Sequence, residues 1–552
     1  MRSAATSDLW WKNAIIYCLD VQTFADSDGD GIGDFVGLTN HVDYLAGLGV
    51  TCVWLMPFYP TADLDDGYDI CDYYAVDPRL GTMGDFTEFI RTADDRGLRV
   101  IADLVVNHTS DGHPWFQASR RSRDSPFRDY YVWRDEIPHD GPQGEVFPGD
   151  QGGLWTFDAE AGQYYLHRFY KHQPDLNISS DAVREEIRKM IGFWLALGLS
   201  GFRVDAVPFL LETDGLAEAM ELDPHDYLRD LRAFLGRRSG EAVLLGEVNL
   251  PADEQLRFFG DEDGDELHLL FDFLGMQAAF LSLARGHVGP LAAWLRDRPS
   301  VPSEASWASF LRNHDELTLD KLTDGERAEV FAAFGPDPDM QLYGRGIRRR
   351  LPPMLGGDQR WLRLAYGLMF ALPGTPTLFY GEEIGMAENL AIDDRYSVRT
   401  PMQWTDGPTA GFSTAPPDAL CRPIPDDARF APAAVNVRDQ RRDPDSLLNW
   451  FERLIRLRKE LPEIGWGTCS VLDTGNRSSV LVLRHDWHDR TLVTAHNLTR
   501  RTAVATVAID APAGSELREL LGPTDSIPVR NGSARIRLGA HEQRWLRLER
   551  EA

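Results

Sequence analysis

Three carboxylates in this chain stand where a fold would bring them to bear on one substrate. Asp205 lies in GFRVDAV (Gly201–Val207), Glu247 in GEVN (Gly246–Asn249) and Asp315 in LRNHDE (Leu311–Glu316). A fourth stretch of the same build, DLVVNH (Asp103–His108), precedes them. Each is an apolar, β-branched run ending in charged side chains, the pattern of a buried parallel strand that delivers functional groups at its C-terminal end. An Asp and a Glu facing one sugar ring are the apparatus of glycosidic bond exchange. Arg203, two residues before Asp205, faces the same side of a strand, where its charge would keep that carboxylate ionised.

Positioning them takes a repeated strand–helix unit. Candidate strands are Ile15–Val21, Cys52–Pro57, Arg99–Val105, Gly201–Asp205, Val243–Glu247, Leu267–Phe273, Ala308–Asn313 and Thr377–Tyr380. Helical patterns fall between them at Gly37–Leu48, Gly84–Arg96, Asp181–Leu197, Asp226–Leu235 and Arg360–Leu372. Eight such units predict an α/β fold, a (β/α)8 TIM barrel over 9–108 and 181–465, with its active site at the C-terminal strand ends. Residues 109–180, after the third strand, are rich in Asp, Pro, Gly and aromatics and predict an inserted lid domain. A second insertion, 318–356, follows the seventh strand and carries GRGIRRR. From 466 to 552 the period changes to alternation, with strands at Ser479–Leu483, Arg490–Ala495, Ala503–Ile509 and Arg535–Leu538, which predicts a C-terminal all-β sandwich.

Charge and composition narrow the partners. With 57 basic against 86 acidic side chains the net charge is −29, which argues against nucleic acid or an anionic membrane as partner. No uninterrupted apolar stretch reaches membrane length; Leu362–Tyr380 is broken by Arg363, Pro373 and Pro376. The N-terminus shows no apolar signal core, so a cytoplasmic chain is expected, and a homo-oligomer remains open. Five widely spaced cysteines, without a CxxC pair, predict neither a disulfide framework nor a zinc site. DSDGDGIGD sets Asp26, Asp28 and Asp30 at alternating positions, with Gly31 for the turn and Asp34 following. Together with the Ile32 carbonyl these oxygens suit a structural Ca²⁺, although Gly37 stands where a complete EF-hand loop has its Glu. No organic cofactor is expected.

These four stretches, in this order, resemble the α-amylase family of retaining glycoside hydrolases and transglycosidases. The resemblance implies that Asp205 is the nucleophile, Glu247 the acid/base and Asp315 the carboxylate that favours the oxocarbenium-like transition state. His108 and His314 match positions that hydrogen-bond the same sugar. DDGYDI (Asp65–Ile70) matches the segment whose tyrosine, here Tyr68, stacks under the sugar. Asp65 matches an acid that pairs with an arginine of VRTPMQW (Val398–Trp404), namely Arg399, in exo-acting relatives. Asn107, and Asp175 in HQPDLN, match positions that ligate calcium, and Glu212 with the carbonyls of Phe209 and Leu210 would complete that second site.

QPDLN resembles the branch of the family that handles short α-glucosides, and Ala206 is typical of relatives acting on α-1,4 links. GFRVDAVPFLLE, FLRNHDELTLD, GIRRRLPPML and RTPMQWTDGPTAGFS are similar to the branch that interconverts maltose and trehalose, and the likeness runs from Trp10 into the C-terminal region. The expected partners are therefore small α-glucosides: maltose, trehalose and glucose. One departure stands out: after DAVPFLLE the chain reads TDGLAEAMELDPHDY, where that branch carries a longer REGTNCENLPET-like stretch bordering the acceptor. An exo-acting α-glucosidase on short α-1,4-glucosides or trehalose, and a glucosyltransferase to another small acceptor, are the alternatives.

Overall fold

In the computed structural model, which describes residues 9–138, 146–147, 152–211, 223–261, 264–475, 479–523 and 525–550, eight parallel strands close on themselves. They are β1 (Ile16–Leu19), β2 (Cys52–Leu55), β3 (Arg99–Leu104), β4 (Gly201–Val204), β5 (Val243–Gly246), β6 (Leu269–Phe271), β7 (Ser306–Ser309) and β8 (Thr375–Phe379). Each pairs with its sequence neighbour, and β8 returns to β1 with Ile16 opposite Thr377. The fold is the expected (β/α)8 barrel. β7 and β8 begin two residues before the apolar runs that mark them, and β8 runs through Pro376, opposite Ser309.

Helix ends follow their caps. Asp358 opens the helix Gln359–Ala371 by accepting from Arg360 and Trp361, and a capping box of Thr82 and Asp85 opens Met83–Asp95. The expected helix Gly37–Leu48 is two, Phe35–Asn40 and Val42–Leu48. His41 leaves the helical region at φ −109°, and Asp34 caps the first helix by accepting from Gly37. Gly201 has φ +143°, and a Cβ there would meet the Val243 carbonyl at 2.2 Å, so β4 begins on a residue that must be glycine.

The chain between β3 and β4 contributes a three-stranded antiparallel sheet of Trp133–Arg134, Gln163–Leu166 and Trp155–Asp158. The chain after β7 contributes a small sheet of Leu317–Thr318, Gly346–Ile347 and Gln341–Leu342, together with the helix Asp324–Phe334. Antiparallel sheets of six and two strands form the C-terminal part. Along its strands Val480–Trp487 and Arg490–Asn497 the side chains alternate. Val480, Val482, Val493 and Ala495 pack within the sheets, whereas Leu481, Leu483 and Leu492 join the core of the barrel. Among the described residues no helix is long and apolar enough to cross a membrane.

Candidate active site

The acids arrive at one end of the barrel because each follows directly from a strand. Asp205 is the residue after β4, and its N–H bonds Leu104 O on β3. Glu247 is the residue after β5, and its N–H bonds Val204 O on β4. Gly246 precedes it, and a Cβ there would lie 2.4 Å from a methyl of Leu267, so the glycine lets that side chain pack against the strand end. Both acids and Asp315 line one cavity of about 410 Å³.

Arg203 stands at the centre of the first half of this site. Nη1 donates to Asp205 at 2.6 Å and to Asp103 at 2.5 Å, while Nη2 donates to Glu247 at 2.5 Å. One buried cation therefore serves three carboxylates, so none is fully compensated. Burial raises the Asp205 carboxyl to about 6 despite Arg203. Burial also raises Glu247 to about 7, with Arg203 opposing and Asp205 adding to it. Asp103, fully buried beneath the site and bonded by Trp54 Nε1 at 2.9 Å, is raised to about 6 by burial. Asp205 and Glu247 both accept from the one Arg203 guanidinium, on Nη1 and Nη2, which draws the two carboxylates to one point of the cavity. Ala206, between the nucleophile position and the helix Val207–Leu211, has φ +48° and donates its N–H to Glu247 Oε2 at 3.2 Å.

Asp315 has the opposite surroundings. Arg399 Nη2 lies 3.0 Å and Arg395 Nη1 3.1 Å from its Oδ1, and His314 Nε2 lies 3.1 Å from Oδ2. Burial works upward on this carboxyl, but His314 and the two arginines outweigh it and hold it far below the ordinary range. Burial lowers the pKa of both His314 and His108. Tyr68 bonds His314 Nε2 at 2.6 Å with the two rings parallel at 5.6 Å, and its own carbonyl meets His108 Nε2 at 3.2 Å.

The expected pairing of Asp65 with Arg399 is corrected. Asp65 pairs with Arg395 at 2.5 Å, and Arg399 pairs with Asp66 at 2.5 Å, where Arg422 also docks at 2.5 Å. Asp66 has φ +53°, which turns successive carboxylates toward different arginines. Arg395 lies in the 3-10 helix Asp394–Val398, one turn before Arg399, and spans Asp65 and Asp315. Sequence reasoning missed Arg395 and Asp66. The one available signal was a second arginine a turn before the first in IDDRYSVRT.

Two insertions meet above this floor. Phe147, from the chain after β3, packs its ring on Arg395 at 4.9 Å, stacks on Tyr170 at 4.8 Å and touches Tyr343 of the later insertion at 5.3 Å. Arg345, also from the later insertion, donates to Val146 O at 2.5 Å. The arginines of GIRRR itself are scaffold: Arg350 bonds the carbonyls of Val398 and Tyr380, and Arg349 pairs with Glu388 at 2.8 Å. The cavity is lined as well by Phe209, Phe273, Asn249 and Asp320, the last bonded by Asn249 at 3.0 Å.

The cation candidates divide. Asp26, Asp28 and Asp34 bring carboxylate oxygens within 4.8 Å of one another, which fits a hard cation. Asp30 stands outside that group, bonding Ile32 N at 2.8 Å. The second set does not fit among the described residues. Asp175 gives one oxygen to Arg168 Nη1 at 2.6 Å and the other to Arg168 N at 3.0 Å and Asn107 Nδ2 at 3.4 Å. A guanidinium thus supplies the compensation expected from a cation. Phe209 and Leu210 lie in the helix Val207–Leu211, and Glu212, with residues 213–222 of the departing segment, lies outside the described residues.

The family model for the α-amylase catalytic domain matches residues 18–331 and 348–467. Trehalose synthase of Thermus thermophilus is 43% identical over 535 residues, 97% of this chain and 55% of that protein, so the chain spans about half the length of that relative. Trehalose synthase of Pimelobacter sp. is 38% identical over 551 residues, 98% of this chain and 96% of the relative. Among solved structures, a mutant of trehalulose synthase MutB superposes with a TM-score of 0.76 at 27% identity, covering 98% of this chain and all of the other (100%).

Proposed function

This chain belongs to the α-amylase family, and from that premise we propose that it moves a glucosyl unit within a disaccharide, interconverting maltose and trehalose. Asp205 attacks the anomeric carbon while Glu247 gives its proton to the bridging oxygen, releasing glucose and leaving a covalent glucosyl-enzyme. The retained glucose turns and presents its anomeric hydroxyl. Glu247 takes that proton, and the new C–O bond forms as the bond to Asp205 breaks. Ionised Asp315 stabilises positive charge on the ring in both steps.

The observation that carries this reading is the enclosure of the cavity at two places. Arg395 bridges Asp65 and Asp315 at one end, a wall of the kind that an enzyme acting on a terminal glucosyl unit needs. Phe147 lies over Arg395 and joins the insertion after β3 to Tyr343 of the insertion after β7. An isomerase needs such a roof to keep its leaving group in and water out. Incubation with maltose, with trehalose and free glucose followed together, tests it. Trehalose as main product is expected, with loss of nearly all turnover in Asp205→Asn. Glucose without trehalose would show that water reaches the glucosyl-enzyme and that the chain is an α-glucosidase.

A structural Ca²⁺ on Asp26, Asp28 and Asp34, with the Ile32 carbonyl as a further ligand, is part of the same proposal. Chelation should lower Tm, and added Ca²⁺ should restore it; an unchanged Tm would remove the ion from the account.

A further inference from the structure

A second cavity, of about 500 Å³, opens on the flank of the barrel and shares no lining residue with the first. It lies where the helix Val42–Leu48 meets the short helix Val437–Arg442. Its rings are already committed. His41 lies against Trp404 at 4.0 Å, Tyr44 meets Trp404 edge-on at 4.9 Å, and Trp404 Nε1 donates to Phe24 O at 2.8 Å. Tyr44 OH bonds Glu383 at 2.6 Å, and His41 Nδ1 meets Gly37 O at 2.8 Å, which leaves His41 Nε2 as the ring nitrogen available to a ligand.

Three guanidiniums complete the wall. Arg438 pairs with Asp406 at 2.6 Å and with Asp439 at 3.3 Å, while Arg442 reaches the same Asp439 only at 3.9 Å. Arg441 covers the Tyr44 ring at 5.1 Å and, among the described residues, has no acid partner. Asp43 lines the cavity as well, paired with Arg96 at 2.6 Å, so in a chain of net charge −29 four arginines stand here against the three acids Asp43, Asp406 and Asp439, a local excess of positive charge. The planar forks of arginine match the oxygens of a phosphate, in pairs of parallel hydrogen bonds. Burial, and after it the nearness of Arg441, push the His41 pKa down.

We propose that this flank cavity binds a phosphate monoester, held by Arg438, Arg441 and Arg442 with His41 beside it. The shared chemistry is the phosphate group, carried by inorganic phosphate or by a phosphorylated hexose. The site is separate from the sugar exchange and independent of it.

Titration calorimetry at low ionic strength, with glucose 6-phosphate and inorganic phosphate as probes, tests this on the full chain. Both arginines to be changed, Arg441 and Arg442, are exposed, so Arg441→Ala/Arg442→Ala should fold and turn over maltose as the parent does. Glucose 6-phosphate should bind the parent, with affinity falling at least about tenfold in the variant, a change of about 1.4 kcal/mol. Tighter binding of glucose 6-phosphate than of inorganic phosphate would identify the phosphorylated sugar as ligand; equal binding would identify the phosphate alone. No binding up to about 10 mM, or equal affinity in the variant, which would include occupation of the catalytic pocket, overturns the proposal.

Discussion

Ala206 donates its backbone N–H to the Glu247 carboxylate at 3.2 Å while holding φ at +48°. The residue after Asp205 is thus twisted so that its amide meets the Glu247 carboxylate. A β-branched side chain is an outlier in that conformation and costs about 1–3 kcal/mol. Ala206→Val should therefore lower kcat on maltose at least about tenfold, with a lower Tm and little change in KM. A kcat within twofold of the parent would show that the amide does not hold Glu247.

The charge distribution predicts the pH profile. Attack needs Asp205 ionised, and burial has brought its carboxyl to about 6; as pH falls through that value the nucleophile is protonated and lost. Protonation of the leaving oxygen needs Glu247 in its acid form, which is lost as pH rises through about 7. The plot of kcat/KM against pH should be a narrow bell with its top between these limbs, and Asp315, ionised throughout, should contribute neither. A profile flat from pH 5 to pH 8 would contradict both assignments.

The wall of the donor end is testable as a pair. Asp65 and Arg395 lie 2.5 Å apart and nearly buried, so removing either leaves an uncompensated charge. A double-mutant cycle on kcat/KM with Asp65→Asn and Arg395→Ala should show coupling of about 1–3 kcal/mol, and the same cycle with Arg399→Ala far less. Equal coupling in the two cycles would restore the partner expected from sequence.

His485 and His496 lie on strands that pack against the barrel, fully buried, and burial lowers both to about 3. Neither ring nitrogen of His496 finds a partner among the described residues, and Arg458 stands near His485. These folded values lie below the unfolded one of about 6.5. The stability both histidines contribute is therefore intact above about 6.5 and lost as pH falls from there toward 3. The slope is about 1.4 kcal/mol per pH unit for each. Urea unfolding at pH 7 and pH 5 should show this loss. His496→Leu should reduce the slope, and an identical slope in that variant would place the acid sensitivity elsewhere.

The barrel was legible because its strands are apolar runs that end in chemistry, and the acids stand directly after β4 and β5. The insertions were legible as interruptions of that period, but not their contacts. That Arg395 and not Arg399 meets Asp65 follows from one positive φ at Asp66, a conformation that no composition announces. The pairing of Asp175 with Arg168 was equally invisible, since an acid beside a binding segment reads the same whether a metal or a guanidinium faces it. The strands Ser515–Glu519 and Gln543–Arg550 went unmarked because their charged side chains mask the alternation.

The cations that hold Asp315 belong to a segment far downstream of it, at Arg395 and Arg399. On the ribosome, where chains emerge N-terminus first, Asp65 and Asp315 are therefore made before their counter-charge exists. A nascent chain stopped short of Arg395 carries Asp65 and Asp315 without their arginine, and burying them would be costly. The sugar pocket can close only after β8 has been made, so no partly synthesised barrel can hold a glucosyl unit.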